Sequence, residues 1–301
     1  MTILYKKGKL LNEGKTKKVY EVVGNDKLVI IQNKDDITKK NDPKQTREMS
    51  DKAKLSTTIT CVNFELLEKA GIPVAYLGRI SETEILAKKC QMIPLEVVVR
   101  RYAVGSILRR NPELKKSGKI PLRFEELHVE FFLKTTGGVI RSKKGKEIGK
   151  LVDQKTREPI DDPLIVNPKS LDWVIKNPEV PSTDHLSFLC QLFSEDILPD
   201  HVSIAKIESF ARKTFFILED ALILLNLRLI DFKIEFGIGP DGELFIADVI
   251  DNDSWRIRTS NWQELSKELF RQNKDMRKIK EGYELVANKL EAAYPLKRNR
   301  L

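Results

Sequence analysis

Charged and apolar residues alternate along the segment IDFKIEF, which begins at Ile230. On a β-strand, Asp231, Lys233 and Glu235 would point to one face, because strand side chains alternate with a period of two. A second strand-like run follows a Gly-Pro-Asp-Gly turn and contains Asp248. Magnesium bound with a nucleotide is usually held by one or two carboxylates plus phosphate oxygens. If the register brings Glu235 and Asp248 opposite each other, this hairpin predicts a magnesium site, with Lys233 facing a transferred phosphoryl group.

The alternative for this charged face is a salt-bridged surface exposed to solvent. The segment before Ile230 is very apolar, which indicates a strand in the middle of a sheet. Charges in such a place cost several kcal/mol unless they are paired or bind a cation. This cost favours a binding role for the charged face.

A second candidate site is the segment NEGKTKKVYEV at 12–22. Gly14 lets the backbone approach a ligand closely, and Lys15 and Lys17 can neutralise phosphate oxygens from one face of a strand. The spacing differs from the P-loop pattern G-x-x-x-x-G-K-[ST]. The alternative is an exposed basic edge of a hairpin.

A third candidate is the segment MIPLEVVVRRYAVGSILRR at 92–110. Arg100 is expected to emerge at the end of a buried strand, with Gly105 and Ser106 at the start of a helical turn. An arginine fork, a backbone amide and a hydroxyl group together form an anion site. The alternatives are a solvated basic segment and a nucleic-acid surface, although the interleaved aromatic residues that stack bases are missing.

Periodicity and turn residues predict the elements that carry these candidates. A hairpin is predicted over 17–32 and a helix over 50–70, which Ser50 or Asp51 would cap and Gly71 would end. Further predicted elements are strands over 74–90, 94–104 and 243–250, and helices over 181–198, 203–226, 261–275 and 280–294. Because strands come first and then mix with long helices, the sequence indicates an α+β fold.

Two segments are expected at the surface. Residues 135–160 are rich in Gly and Lys and poor in aromatic residues, which predicts an exposed excursion in the form of a hairpin. The basic tail at 295–301 is expected to fray.

Composition limits the class of protein. Of the 301 residues, 41% are hydrophobic and 32% are charged, which predicts a folded chain with two domains or lobes. No apolar run of about 18 residues and no secretory signal are present, so no membrane partner is expected. The three scattered cysteines indicate reduced thiols in the cytoplasm. The net charge of +9 favours an anionic partner such as a phosphate, a nucleotide or a nucleic acid.

Two long motifs resemble those of the SAICAR synthetases (phosphoribosylaminoimidazole-succinocarboxamide synthases) of purine biosynthesis. The family pattern x-P-[aliphatic]-E-x-x-x-R-x-x-x-[Thr/Ala]-G-S is similar to IPLEVVVRRYAVGS, and the pattern D-x-K-[apolar]-E-F-G is similar to DFKIEFG. The segments EGKTKKVYE, DKAKLSTTIT and ADVIDNDSWR also resemble the family, most closely its animal-type branch. The resemblance runs from about residue 11 to about residue 275.

The resemblance implies an ATP-dependent carbon–nitrogen ligase with Mg2+ as cofactor. It implies that carboxyaminoimidazole ribonucleotide (CAIR) and L-aspartate are joined through an acyl phosphate to give SAICAR, ADP and phosphate. It also implies an ATP-grasp-like α+β fold with the nucleotide in the cleft between two lobes. We expect a mainly antiparallel β lobe with one helix over 1–92 and a larger α+β lobe over 93–301. The expected protein is cytoplasmic and has no nucleic-acid partner; a homo-oligomer is left open.

Matching positions in the family motifs imply the roles of individual residues. ATP would be bound by Gly14, Lys15, Lys17 and the backbone near Lys89 and Met92. The other substrates would be bound by Arg100, Ser106, Arg256, Lys134 and Thr38. Magnesium would be held by Glu235 and Asp248, and Lys233 would be the catalytic residue that faces the reacting carboxylate and the γ-phosphate.

The chain departs from the family pattern in two short motifs. Val104 stands where Thr or Ala is usual, a modest steric change beside the expected phosphate contact. Lys39 and Lys40 stand where Ala and Gly are usual, which calls into question a backbone contact with the substrate.

A further departure follows Lys134, where acidic residues or Asn are usual and this chain has Thr135 and Thr136. The matching Asp-Asp-Pro comes only at 161–163, after a long insertion. Animal members are usually fused to a carboxylase domain, for which 301 residues leave no room, so that second activity is expected to be absent.

Two alternatives to an active ligase are compatible with the sequence. The Lys39-Lys40 loop is compatible with a degenerate family member that binds a nucleotide and turns over poorly. The basic charge is compatible with a nucleic-acid-binding protein. A protein kinase is disfavoured because the H-R-D and D-F-G motifs are missing.

Overall fold

The structure is a computed structural model, and the residues it describes are 5–39, 45–118 and 120–296. Lys40 of the predicted substrate loop and residues 297–301 of the predicted basic tail lie outside this part of the chain. Helices and sheets occur together, so the predicted α+β class is confirmed.

The secondary-structure elements are numbered in chain order. The strands are β1 Lys7–Glu13, β2 Lys17–Val22, β3 Asn25–Asn33, β4 Asp36–Thr38, β5 Thr46–Glu48, β6 Tyr76–Arg79, β7 Glu84–Lys88, β8 Gln91–Tyr102, β9 Arg123–Leu133, β10 Val139–Arg141, β11 Glu147–Lys150, β12 Leu164–Ile165, β13 Asp172–Lys176, β14 Phe188–Phe193, β15 Leu227–Ile238, β16 Leu244–Ile246 and β17 Trp255–Thr259. The α-helices are α1 Lys52–Lys69, α2 Ile107–Arg110, α3 Ser194–Ile197, α4 Ile204–Ile223, α5 Glu268–Arg271 and α6 Met276–Ala293.

The chain divides into two compact units. The first consists of Met1–Gln91, Phe216–Leu229 and Ile238–Leu301, and the second consists of Met92–Phe215 and Ile230–Gly237. One division therefore follows Gln91, beside the boundary expected at residue 92, while the C-terminal residues belong to the first unit.

A five-stranded antiparallel sheet in the order β1-β2-β3-β7-β6 forms the framework of the first unit. β2 and β3 confirm the hairpin predicted over 17–32, and Lys17 lies opposite Asn33 in this pair. The β-branched run of β3 buries Val29, Ile30 and Ile31, as expected for a strand with neighbours on both sides. The sheet therefore places the turn at Gly14 directly before a rigid strand.

Helix α1 confirms the helix predicted over 50–70, but its cap differs from the prediction. Asp51 has a φ angle of 66°, and its side chain makes no capping hydrogen bond. Instead, Asp35 Oδ1 accepts a hydrogen bond from the Ala53 N–H at 2.8 Å. A residue outside the helix thus satisfies one of the N–H groups that the first turn leaves unpaired. Gly71, with a φ angle of 77°, ends the helix as predicted.

The strands of the second unit follow the order β14-β13-β12-β9-β8, and residues 230–237 of β15 lie beside β8. β8 and β9 are antiparallel, with Val98 opposite Glu130 and Arg100 opposite His128. This pairing brings charged residues from two distant parts of the chain onto one sheet.

β15 is buried on both faces. Phe232 and Phe236 on the apolar face are at most 1% exposed, and Asp231 and Glu235 on the charged face are each 3% exposed. The alternative of a solvated face is therefore wrong for the two carboxylates. Charges buried to this extent need partners or a bound ion.

Two predicted helices are wrong in whole or in part. Within 181–198, residues 188–193 form β14, which pairs with β13 at the end of the sheet order. Hydrogen bonding to a neighbouring strand here overrides a short apolar run whose periodicity does not distinguish a helix from a strand. The helix predicted over 261–275 is reduced to α5.

The second strand of the hairpin that begins with β15 is also shorter than predicted. β16 covers Leu244–Ile246 rather than 243–250, so Asp248 lies beyond the strand. The strand on which a register opposite Glu235 depends therefore does not extend to Asp248.

β10 and β11 confirm the hairpin predicted within 135–160. Ile140, Leu151 and Ile160 are buried, so this excursion is anchored by apolar contacts although its cationic side chains are largely exposed. Among the helices in the described part of the chain, none combines the length and apolarity needed to cross a membrane.

Candidate active site

Lys233 lies between two carboxylates in the second unit. Its Nζ atom is 2.5 Å from Glu96 Oε1 and 3.7 Å from Glu235 Oε1. Glu96 is on β8, while Lys233 and Glu235 are two residues apart on β15 and share a face. Lys134, which follows β9, forms an ion pair with Glu235. We call Glu96, Lys134, Lys233 and Glu235 the lysine–carboxylate cluster.

Exposure differs between the acids and the lysines of this cluster. The side chains of Glu96 and Glu235 are 12% and 4% exposed, whereas those of Lys233 and Lys134 are 37% and 45% exposed. The carboxylates are thus held inside the unit, and the ammonium groups reach solvent. Such ammonium groups can meet an anionic ligand while the buried charges stay compensated.

Asp162 lies close enough to this cluster for their charges to interact. Burial and the negative charge of Glu96 raise the pKa of Asp162 to about 6, although Lys233 acts in the opposite direction. The backbone of Asp162 has a φ angle of 50°, which is uncommon for a residue other than glycine. This combination of an uncommon backbone and a shifted pKa is typical of functional sites.

Arg100 is buried and bound by acids, so the prediction that it emerges from the strand end is wrong. Its guanidinium donates to Glu130 Oε2 at 2.6 Å and to Asp231 Oδ2 at 2.7 Å. It also donates to Ser106 Oγ at 3.3 Å, and only 3% of the residue is exposed. Asp231, for which the sequence indicated only a face of the strand, therefore has Arg100 as a partner. Arg100 and Ser106 are brought together as expected.

A second arginine completes this buried group. Arg110 forms an ion pair with Glu130. Burial alone would raise the pKa of Glu130, but Arg100, His128 and Arg110 outweigh it and hold this pKa well below its usual range. Glu130 is therefore charged at neutral pH and anchors both arginines.

The substitution at Val104 is compatible with this arrangement. The Val104 backbone carbonyl accepts a hydrogen bond from Arg100 Nη1 at 3.2 Å. Because this contact uses the backbone, it does not depend on the side chain that departs from the family pattern. Gly105 follows with a φ angle of 68°, a conformation that favours glycine and turns the chain towards Ser106.

The first unit brings Lys17 and Asp248 together. The two side chains form an ion pair, and Asp248 Oδ1 also accepts the Val249 N–H at 2.8 Å. The Gly14 N–H donates to Lys17 O at 2.8 Å and closes the turn that carries Lys15. A predicted phosphate ligand and a predicted metal ligand are therefore neighbours, whereas Glu235, the other predicted metal ligand, belongs to the second unit.

A buried charge network underlies the loop between Asp248 and Arg256. Lys52 Nζ is 2.9 Å from Asp253 Oδ2, and the Tyr283 hydroxyl donates to Asp253 Oδ1 at 2.8 Å. Burial alone would raise the pKa of Asp253, but Lys267 and Lys52 outweigh it and lower this pKa. Arg256, on β17, is held by Glu268 at 3.1 Å. The network fixes the loop that leads into β17, the strand of the predicted substrate ligand Arg256.

The other predicted residues occupy different surroundings in the first and second units. The Lys89 N–H donates to Lys27 O at 2.8 Å, so this backbone donor is used by a hydrogen bond to β3. Met92 is 43% exposed. Thr38 is buried, with its hydroxyl 2.9 Å from that of Thr46. Lys39 donates to Asn273 at 2.8 Å.

Three acids of the site were not assigned a role from the sequence. Glu96 is the glutamate of the first motif, so the family pattern already marked it as a candidate site residue. Glu130 is a single acid in an otherwise apolar strand end, which is itself a signal of a buried partner. Asp162 belongs to the Asp-Asp-Pro that follows the insertion.

These groups define an α+β protein whose lysines, arginines and buried carboxylates suit a phosphorylated, anionic ligand. The chain belongs to the SAICAR synthetase family, whose sequence model matches residues 10–162 and 171–290.

The chain is similar to curated proteins from animals and bacteria. It is 34% identical over 284 residues to the "Probable multifunctional protein ADE2" of Caenorhabditis elegans, covering 92% of this chain but 55% of that protein. It is 31% identical over 282 residues to the phosphoribosylaminoimidazole-succinocarboxamide synthase of Campylobacter fetus, covering 93% of this chain and 97% of that protein. The chain thus spans little more than half the length of the nematode relative.

The fold is similar to solved structures of the same family. A SAICAR synthetase (Type-2) in complex with ADP superimposes with a TM-score of 0.67 at 26% sequence identity. The superposition covers 94% of this chain and 98% of that one. The likeness extends through both compact units and confirms the fold predicted from the motifs.

Proposed function

We propose that this protein is an ATP-dependent ligase that joins CAIR and L-aspartate to give SAICAR, ADP and phosphate. The observation that carries the proposal is Lys233, held 2.5 Å from Glu96 and 3.7 Å from Glu235 on a motif of the family. The similarity to the Campylobacter synthase along 97% of its length supports the same reaction. A cytoplasmic location is part of the proposal, since the reaction uses the soluble nucleotide pool.

The proposed chemistry proceeds in two steps. A carboxylate is a poor electrophile, so the γ-phosphoryl group of ATP is first transferred to an oxygen of the CAIR carboxylate, and ADP leaves. The neutral amine of aspartate then attacks the acyl carbon, the carbon–oxygen bond to phosphate breaks, and the nitrogen loses a proton. Phosphoryl transfer depends mainly on positioning and charge neutralisation, which suits a site made of lysines and arginines.

The proposed roles follow the surroundings of each residue. Lys233 faces the reacting carboxylate and the transferred phosphoryl group. The ATP ligands are Gly14, Lys15, Lys17 and the backbone at Lys89 and Met92. The ligands of the other substrates are Arg100, Ser106, Arg256, Lys134 and Thr38. Arg100 also positions Ser106 and Val104, to which its guanidinium donates hydrogen bonds. Glu130 and Asp231 hold the guanidinium in place for these contacts.

Magnesium is proposed to be held by Glu235 and Asp248. Both are carboxylates, the ligands that this hard cation prefers together with phosphate oxygens. Each is paired with a lysine, Glu235 with Lys134 and Asp248 with Lys17, so each carboxylate already attracts a positive charge. Bound magnesium would neutralise the charge of the phosphate oxygens.

The test supplies the purified protein with ATP, Mg2+, L-aspartate and CAIR and follows ADP and SAICAR. We expect product from the parent protein, and a loss of at least about 100-fold for both Lys233→Ala and Glu235→Gln, the scale for removing a key electrostatic group. Lys54→Ala and Glu82→Gln are matched controls, because these two side chains form an exposed ion pair.

The outcomes separate the alternatives. Nucleotide binding without any SAICAR would favour a degenerate member of the family. Tight RNA binding that weakens steeply with salt and ignores ATP would favour a nucleic-acid-binding protein. The oligomeric state, which the sequence leaves open, would be measured by light scattering of the same sample.

A further inference from the structure

The insertion between Thr136 and Asp161 leaves the sheet of the second unit after β9 and returns to it at β12. β9 ends at Leu133, whose N–H donates to Pro163 O at 2.9 Å. Leu164 then lies opposite Phe132 in the pairing of β12 with β9. Lys134, a member of the lysine–carboxylate cluster, and Asp162, whose carboxyl group feels the charges of that cluster, therefore flank the two ends of the insertion.

Thr135 and Asp161 close the base of the insertion with hydrogen bonds. The Thr135 hydroxyl donates to Asp161 Oδ1 at 3.2 Å and accepts the Asp162 N–H at 3.0 Å. Asp161 Oδ1 also accepts the Gly138 N–H at 2.8 Å. We call Thr135 and Asp161, with the Gly138 N–H, the latch. Thr135 is only 7% exposed, so its hydroxyl bonds are shielded from water.

We propose that Thr135 and Asp161 are positioning residues for the ligase reaction, because the latch fixes Lys134 within the lysine–carboxylate cluster and Asp162 beside it. The inference rests on the proposed function. Neither residue contacts the cluster itself through a hydrogen bond of the latch. Each acts through its neighbour in the chain, Thr135 through Lys134 and Asp161 through Asp162.

The backbone at Asp162 shows why the latch is needed. A φ angle of 50° is unfavourable for a residue with a side chain and persists only when the surroundings impose it. The Thr135 hydroxyl imposes it by binding the Asp162 N–H, and the Thr135 N–H lies 3.4 Å from Asp162 Oδ1. Without these contacts, only the pairing of β9 with β12 would hold the two ends together, against the entropic cost of closing the long insertion.

The latch lies next to the charges that surround Lys233, so it can affect catalysis. Lys134 forms an ion pair with Glu235, and the charges of Glu96 and Lys233 act on the carboxyl group of Asp162. A small shift at either end of the insertion would therefore move charges around Lys233. Misplacement of reacting groups by about 1 Å can lower a rate by about 100-fold.

Thr135→Val tests the proposal, because valine keeps the shape of threonine and removes the hydroxyl bonds. Thr135→Ser keeps the hydroxyl and is the rescue variant. Thr136→Val makes the same change at the exposed neighbouring residue and is the control. Initial rates with ATP, CAIR and L-aspartate give kcat and KM for each substrate, at a temperature where denaturation curves show every variant folded.

We expect Thr135→Val to lower kcat by about 10- to 100-fold and to leave KM for ATP within about twofold. Thr135→Ser should restore kcat to within about threefold of the parent, and Thr136→Val should not change it. A purely structural latch would lower the unfolding temperature without separating kcat from KM. A Thr135→Val protein with parental kcat, or a serine variant as slow as the valine variant, would overturn the proposal.

The Asp161 variants keep the test decisive if Thr135→Val does not fold. Asp161→Asn retains the Oδ1 acceptor and should keep activity, whereas Asp161→Ala removes it and should lose about as much kcat as Thr135→Val. Equal kcat for the two Asp161 variants contradicts the latch. A parent protein without SAICAR formation overturns the proposed function, whereas an active parent with insensitive variants overturns only the latch.

Discussion

Lys233 Nζ lies closer to Glu96 than to Glu235, at 2.5 Å against 3.7 Å. Glu96 comes from the first family motif and Lys233 from the second, so a contact between neighbouring strands joins the two motifs. Glu235 in turn has Lys134 as a partner. The pairing separates the acid that orients the proposed catalytic lysine from the acid proposed to hold magnesium.

Glu96→Gln is expected to lower kcat by about 10- to 100-fold, because Lys233 loses a charged anchor while the shape of the side chain is kept. Initial rates of SAICAR formation measure the effect. Glu82→Gln, at an exposed ion pair, is the control and should leave kcat unchanged. An unaffected kcat in Glu96→Gln would show that Glu96 does not orient Lys233 in the reaction.

Lys17 and Asp248 are expected to act as a unit in binding the nucleotide. Lys17→Met and Asp248→Asn should each raise KM for ATP, and the double variant should raise it by less than the product of the single effects. A coupling free energy of about 1 kcal/mol is typical of contacting residues. Lys18→Met is the control, because Lys18 is paired with exposed Glu13. Strictly multiplicative effects would argue against the pair.

Glu130→Gln is expected to destabilise the fold at pH 7 by about 3 kcal/mol, because Arg100 and Arg110 lose a buried counter-charge. The pKa of Glu130 is lowered in the folded protein, so its contribution is present above the unfolded pKa and is lost as the pH falls towards the folded pKa. The parent and the variant should therefore converge in acid. Urea denaturation from pH 7 down to about pH 2 measures the difference, because the loss begins only near the unfolded pKa of 4.5.

The control for this experiment is Glu179→Gln, because Glu179 forms a largely exposed ion pair with Arg109. Its effect should stay below about 1 kcal/mol at every pH, as for most exposed ion pairs. A constant difference between Glu130→Gln and the parent at all pH values would mean that charge is not the cause.

Asp162→Asn is expected to change stability in the opposite direction. The pKa of Asp162 is raised from 3.8 to about 6, so the folded state binds the proton more tightly and this group destabilises the fold as the pH rises through about 6. The variant should be more stable than the parent by about 1–2 kcal/mol at pH 7.5, allowing for partial exposure, and equal to it near pH 4. Urea denaturation at both pH values measures this.

Asp200→Asn serves as the control for Asp162→Asn, because exposed Asp200 has its pKa lowered by Lys143. It should not gain stability at pH 7.5. If the free energy of unfolding of Asp162→Asn depended on pH as that of the parent does, groups other than Asp162 would cause the change between pH 4 and pH 7.5.

Gly138→Ala is expected to destabilise the insertion more than Gly137→Ala does. Both glycines have positive φ angles, 72° and 62°, so both substitutions strain the backbone. A Cβ atom on Gly138 would meet Leu151 O at 2.1 Å, whereas one on Gly137 would meet nothing within 4 Å. Hydrogen exchange of the insertion measures the difference. Equal protection in the two variants would contradict the close approach.

The sequence by itself determined the residue types of the site and two of the elements that carry them, the strand β15 and the hairpin of β2 and β3. Alternation along β15 predicted that Lys233 and Glu235 share a face, and the structure confirms it. The turn residues between β2 and β3 predicted the hairpin that places Lys17. Such features depend on residues a few positions apart, for which backbone geometry sets the period.

Only the tertiary structure decided which charges meet. Arg100 is buried because Glu130 and Asp231 arrive from other strands, and α1 is capped by Asp35 rather than by its own first residues. β14 is a strand because β13 pairs with it. Contacts of this kind join residues far apart in the chain, and local periodicity carries no information about them. Packing and hydrogen bonding between the strands therefore fix the partners of the charges that the motifs supply.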